Sequence, residues 1–294
     1  MLEAVPNVSE GRDAAAIAAI GSAFARFARL LDVHSDPDHH RSVFTLAGDA
    51  EALEESLLAG AARALELIDL RVHEGVHPRV GAVDVVPLVP LRAGELEAAK
   101  RAARRVAARL GEELGLPVFL YGEVGAGRRP AFFRRGGLDE LRRRIEAGEL
   151  VPDAGPRHVD PRVGVALVGA RKPLIAYNVE LAEAGVAVAR EIAAAVRESS
   201  GGMPGVQAIG LRLPRSGRVQ VSMNIVDLDR APLHEVVRRV EREAALRGAR
   251  IEGYELVGLV PARVLEEAAA AGAPVPGVDE SRVLERLLGL GERS

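Results

Sequence analysis

One order of elements occurs twice along this chain, and it restricts the fold more than any single motif. Residues 2–6 read as a strand, and the polar run 7–11 leads into an alanine-rich amphipathic helix over 13–28. A strand over 29–34, a turn at 35–40 rich in Ser, Asp and Pro, and a returning strand over 41–47 make a hairpin. Asp49 can cap a helix over 50–68, with Glu51 in its first turn, and an apolar strand follows over 83–90. The second half repeats the series: strand 174–178, helix 181–198, a hairpin of 206–213 and 218–225 closed at Ser216-Gly217, helix 233–247 and strand 254–260. Strand-helix-strand-strand-helix-strand is the ferredoxin-like pattern. The expected fold is therefore α+β, with two such subdomains, residues 1–170 and 171–294, forming a cleft. Asn7-Val8 returns as Asn178-Val179, which fits an internal duplication.

The topology also predicts where polar loops meet. If the first strand rises, the helix returns the chain, the second strand rises and the third descends. Residues 7–11, 36–41 and 73–81 then emerge at one end of the sheet. The last of these, HEGVHPRVGAVDVVPLVP from His73, carries two histidines, a glutamate, an arginine and an aspartate into an apolar strand. Function concentrates on loops of this kind held by a rigid scaffold. His73 to His77 formally satisfies H-E-x-x-H, a zinc signature that requires a helix. Gly75 costs about 1 kcal/mol there relative to alanine, and Pro78 turns His77 away from helical geometry. A neutral-pH proton acceptor suits His77 better, because an imidazole titrates near pH ~6.5. Arg79 either pairs with a carboxylate or faces water, and Asp84 has the same two readings. No metal site is expected.

Between the halves come a basic helix over 94–114, a strand over 117–121 and a glycine loop at 122–127 that lacks dinucleotide-binding spacing and is expected to be mobile. An arginine-rich stretch to Arg144, most simply a solvated face and alternatively a means of drawing an anionic substrate toward a cleft, precedes a proline- and glycine-dense segment over 151–164 suited to a linker or a ligand-lining crossover. The second half has only His234, on a helix, so the chemistry is expected in the first half, with the second supplying the other wall of a cleft.

Composition removes several function classes. A net charge of -3 over 294 residues argues against a nucleic-acid or membrane surface as main partner, and the absence of tryptophan argues against base-stacking platforms. Without cysteine there is no thiol nucleophile. With neither a secretory signal nor a membrane-length apolar run, a cytoplasmic location is expected. Lysine occurs only twice, so Lys172, in GARKPLIAYN, stands out as a place where a compact ammonium could be required.

Five runs in order, VPNVSEG, LDVHSDPDHHRSVFTLAG, HEGVHPRVGAVDVVPLVP, PVFLYGE and VGARKPLIAYN, resemble the glutamate formimidoyltransferases, the transferase part of formimidoyltransferase-cyclodeaminase. The similarity reaches to about EGYELVGLVP, and the chain stops where a cyclodeaminase domain would begin, so a stand-alone transferase is expected. The resemblance implies transfer of a formimidoyl group from formimidoylglutamate to tetrahydrofolate as co-substrate, in histidine degradation, by a homodimer of two-subdomain chains with folate in the cleft between the subdomains. It implies that His77, in the His-Pro-Arg motif, is the catalytic base. It also directs substrate or folate binding to Asn7, Arg41, Arg79, Asp84, Gly155, Pro156 and Gly164, with Arg41 and Arg79 on substrate carboxylates. In the folate-contacting segment only Gly155, Pro156 and Gly164 match the animal pattern. His34 and His40 stand where animal members have aspartate and asparagine, which keeps a formylglutamate donor open, as well as a non-catalytic folate-binding protein. The roles of His34, His39, His40 and His73 stay open, as does a metal-dependent hydrolase using His73 and His77.

Overall fold

In the computed structural model, which describes residues 1–75, 78–92 and 94–290, the first strand is split by Pro6 into β1 (Leu2–Ala4) and β2 (Asn7–Val8). Proline has no N–H for the ladder, yet its carbonyl still accepts from Phe44 at 3.0 Å, so the chain stays in the sheet through Val8. Asn7 is thus a strand residue, where the sequence suggested the start of a loop.

The helix α1 (Ala14–Phe24) begins at Asp13, whose carboxylate accepts the Ala15 and Ala16 N–H groups at 2.9 and 3.0 Å. The hairpin β3 (Arg29–Asp36) and β4 (Arg41–Gly48) follows, then α2 (Ala50–Leu67), capped by Asp49 on the Ala52 N–H at 2.8 Å, and β5 (Val83–Pro90). β4 and β5 flank the split first strand and β3 lies outside β4, the ferredoxin-like order.

The first unit, Met1–Arg171, then extends this sheet. The helix α3 (Leu96–Leu114) leads to β6 (Val118–Gly122), the short α4 (Pro130–Arg134) and α5 (Gly137–Glu146), and finally β7 (Ala166–Ala170). β7 lies between β5 and β6 and is parallel to both. It is buried on both faces and rich in small residues, so it lacks the alternation by which strands are read from sequence. The glycine run closes as a bonded turn, with Gly127 N–H on the Gly122 carbonyl at 3.1 Å and Gly122 N–H on Arg128 at 2.8 Å.

Alternation across the sheet makes two apolar layers. Leu2, Ala4, Val8, Phe44, Leu46, Val86 and Leu88 pack with α1, α2 and α3 on one face. Phe119, Tyr121 and Leu167 pack with Phe133 of α4 and with Leu141 and Ile145 of α5 on the other.

The second unit, Lys172–Ser294, comprises β8 (Ile175–Ala182), α6 (Val186–Val196), β9 (Val206–Arg212), β10 (Val219–Ile225), α7 (Leu233–Leu246) and β11 (Arg250–Val257). Its sheet order is β11-β8-β10-β9, again ferredoxin-like, and it is not widened. β8 runs four residues past Asn178, and α6 starts correspondingly later than the sequence suggests. Ile175, Tyr177, Val179 and Leu181 alternate into one core with Ile192, Val196 and Val237, which keeps the strand going to Ala182. The tail forms α8 (Arg263–Ala270) and α9 (Leu284–Leu288). Among the described residues no helix is long and apolar enough to cross a membrane.

Candidate functional site

Register fixes which loops of the first unit can meet. Val8 lies opposite Ser42 on β4 and Val83 on β5, and Asp36 lies opposite Arg41. The chain leaving β2, the β3–β4 turn and the loop entering β5 therefore share one end of the sheet, as the topology predicted. Serine hydroxyls tie them together: Ser42 Oγ donates to the Glu10 carbonyl at 2.5 Å and Ser9 Oγ to Gly81 at 2.8 Å.

In the turn, Asp36 accepts the Asp38 and His39 N–H groups at 2.7 and 2.9 Å and meets His39 Nδ1 at 2.6 Å. Burial raises the Asp36 pKa, but the His39 bonds outweigh it and hold the carboxyl at about 2. His40 adopts φ of 49°, an uncommon conformation for a residue with a side chain. This turn aims its ring at both neighbouring loops. Nδ1 lies 2.8 Å from the Glu74 carbonyl, Nε2 lies 3.1 Å from Glu10 Oε1, and the ring stacks on His73 with centroids 3.7 Å apart.

His73 is extended and outside any helix, so the local geometry is not that of a zinc-binding helix. Burial, then the charges of Arg79 and His40, lower its pKa to about 4. Arg79 Nη1 donates to the His73 ring, meeting it at Nδ1, and its Nη2 donates to the His39 carbonyl at 3.0 Å. Gly75 is needed beneath this contact, because a Cβ there would lie 2.7 Å from the His39 carbonyl oxygen. Val76 and His77, the proposed base, lie outside the described residues.

Asp84 is 1% exposed at the start of β5. Its Oδ1 accepts the Val80 N–H at 2.8 Å and its Oδ2 pairs with Arg134. Of its two open readings, the buried ion pair holds. Arg134 belongs to the stretch read as a solvated face, and at this residue that reading is corrected: α4 turns the guanidinium inward, side-chain exposure is 15%, and its buried Nε has no acceptor among the described residues. Arg41 is lowered to about 10 by burial and then by the charge of Arg134, against Asp84 and Asp36, which raise it. Arg79 is also held at about 10, by burial first, with Asp84 opposing. Arg41, Arg79 and Arg134 thus lie in the field of Asp84, and Asp36 also acts on Arg41, so guanidinium and carboxylate groups are gathered in partly dehydrated surroundings, where charges interact strongly.

The remaining expected residues divide. Asn7 is buried in β2 with its amide on the Val5 carbonyl at 2.8 Å. Gly164 is brought to the cluster: it bridges Gly81, and a Cβ on it would lie 2.1 Å from the Val80 carbonyl oxygen. Gly155 is held against Leu116 at the start of β6, two strands or about 10 Å from β5. Pro156 is exposed, as is Lys172 at the head of the second unit. Glu10, Asp36 and Arg134 were not identified from sequence. Only the S-E-G and S-D-P turn residues signalled the first two, and nothing local signalled the third.

A doubled α+β scaffold with arginine, carboxylate and histidine side chains gathered on the loop end of its first unit defines a class: a two-unit α+β protein whose polar chemistry is concentrated at one end of its first sheet. The chain belongs to the formiminotransferase domain family, its residues 1–171 matching the model of the N-terminal subdomain and 176–271 that of the formiminotransferase domain. It is 38% identical to the glutamate formimidoyltransferase of Thermoplasma acidophilum, covering 97% of this chain and 96% of that one. The glutamate formimidoyltransferase of Streptococcus pyogenes is 36% identical, with 98% of each covered. The formimidoyltransferase-cyclodeaminase of Sus scrofa is 41% identical over 92% of this chain and 52% of that longer protein. The chain is thus a member of a transferase family.

Proposed function

We propose that this enzyme transfers the formimidoyl group of N-formimidoyl-L-glutamate to tetrahydrofolate, giving 5-formimidoyltetrahydrofolate and glutamate, in the cytoplasm and as a homodimer. The first unit carries the chemistry and the second completes the folate site. His77 takes the proton from the folate nitrogen as that nitrogen attacks the formimidoyl carbon, help worth about 10²–10⁴-fold. The observation that carries this reading is the cluster of Arg41, Arg79 and Arg134, in which burial first and then the charge of Arg134 lower Arg41. A dicarboxylate donor brings carboxylate oxygens to which the guanidinium groups of Arg41 and Arg79 and the open Nε of Arg134 are suited. Asn7, Asp84, Gly155, Pro156 and Gly164 support the site, with Gly164 acting through its bridge to Gly81.

The test is a steady-state assay with tetrahydrofolate and either formimidoylglutamate or formylglutamate. Turnover is expected with the formimidoyl donor at a kcat/KM at least about tenfold above the formyl donor, the equivalent of about 1.4 kcal/mol in discrimination. Preference for formylglutamate would change the donor, and folate binding without turnover from either donor would sink the enzyme reading.

A further inference from the structure

His40 lies between two groups that offer its ring no proton. A main-chain carbonyl, here that of Glu74 at 2.8 Å from Nδ1, can only accept. The carboxylate of Glu10, 3.1 Å from Nε2, already accepts the Arg12 and Asp13 N–H groups at 2.7 and 3.0 Å. Burial raises the Glu10 pKa, but those two N–H groups and His40 hold it below the usual glutamate range, so it is ionised. Both His40 nitrogens must then donate. Assigned from its partners, the ring is an imidazolium. The ring stacked on it at 3.7 Å is of the opposite kind, because His73 is held neutral and accepts from Arg79.

The geometry points to His40 as a positioning residue for the transfer reaction: paired with Glu10 as an imidazolium, it clamps the Glu74 carbonyl and stacks on His73, fixing residues 73–75 directly ahead of His77 in the chain. This role rests on the function proposed above. The other charged groups around the ring have separate engagements: Asp36 with His39, Arg79 with His73 and the His39 carbonyl, and Arg12 with the Pro37 carbonyl at 2.9 Å. Glu10 is therefore the carboxylate that pairs with His40.

The experiment combines nitrogen NMR of the histidine rings in the full-length protein with kcat and folate KM for wild type, His40→Gln and Glu10→Gln. The His40 signal, identified by its loss in His40→Gln, should show a proton on each ring nitrogen, as its two acceptors require. His40→Gln should lower kcat at least about tenfold, as misplacement of a catalytic loop does, while leaving the folate KM within about threefold. Glu10→Gln should lower kcat in the same way, with the folate KM again within about threefold. A bare nitrogen on His40, or a kcat unchanged in both variants, overturns the proposal. If His40→Gln does not fold, an unchanged kcat in Glu10→Gln overturns it alone. A wild type without transfer activity would instead overturn the functional reading, and the ring signal would still decide the state of His40.

Discussion

The two units share one strand order and differ in what they do with charge. In the first, the loops at one end turn Glu10, Asp36, His39, His40, Arg79 and Asp84 toward one another, and α4 adds Arg134. In the second, the corresponding end has ion pairs that stay near water, such as Arg250 with Glu183 at 3.6 Å and Arg218 with Glu180 at 2.9 Å. Packing is alike in kind, because alternating strands bury a sheet face against helices in both units. The doubled scaffold is thus used once to gather charge of both signs at its loop end, whereas at the corresponding end of the second unit the arginine of each pair stays exposed. Dehydrated ionic groups do not stabilise a fold efficiently, so the first unit's cluster is better explained by chemistry than by stability.

That contrast can be broken most forcefully at Asp84. Asp84→Ala leaves the inward Arg134 without its carboxylate and Val80 without an acceptor, and should lower unfolding free energy by about 3–5 kcal/mol in urea. A loss below about 1 kcal/mol would mean that the cluster is wetter than its burial indicates.

Next in size is Arg41→Ala, expected to lower kcat/KM for the donor about 100-fold, mainly through KM, because one of three guanidiniums facing the carboxylates is gone. Unaltered Michaelis constants for both substrates would remove Arg41 from the site.

Smaller is the pH dependence of stability set by His73. Its pKa is about 4 in the folded chain, against an ordinary value of about 6.5. Between those values the unfolded chain binds a proton that the folded chain does not, so stability falls as pH drops through that window. His73→Gln should flatten this slope in denaturant titrations, and an unchanged slope would show that the ring is not held neutral. Asp36 acts in a lower window: its contribution is present above the unfolded value of about 3.9 and is lost as pH falls toward about 2.

The smallest effect belongs to the second unit. Arg218→Ala removes an exposed partner of Glu180 and should cost less than about 1 kcal/mol. A loss comparable with that of Asp84→Ala would erase the distinction between the units.

What was legible from sequence follows the range of the interactions. Periodicity and caps are local, so the helices begun at Asp13 and Asp49, the two hairpins and the twofold strand order were readable, and the loop convergence followed from that order alone. β7 was hidden because Ala166–Ala170 is buried on both faces and does not alternate. Arg134 was hidden because its partner lies 50 residues away, on a strand that α4 reaches only through the tertiary fold. The charge state of His40 depends on acceptors from two other loops, one of them a main-chain carbonyl, which no side-chain pattern records.

The most direct test of the claim that catalysis belongs to the loop end of the first unit is kcat for His77→Ala beside wild type, with tetrahydrofolate binding measured on both. A fall of at least about 100-fold with folate affinity retained is the predicted result. Undiminished turnover in His77→Ala would contradict it and move the proton acceptor to another group.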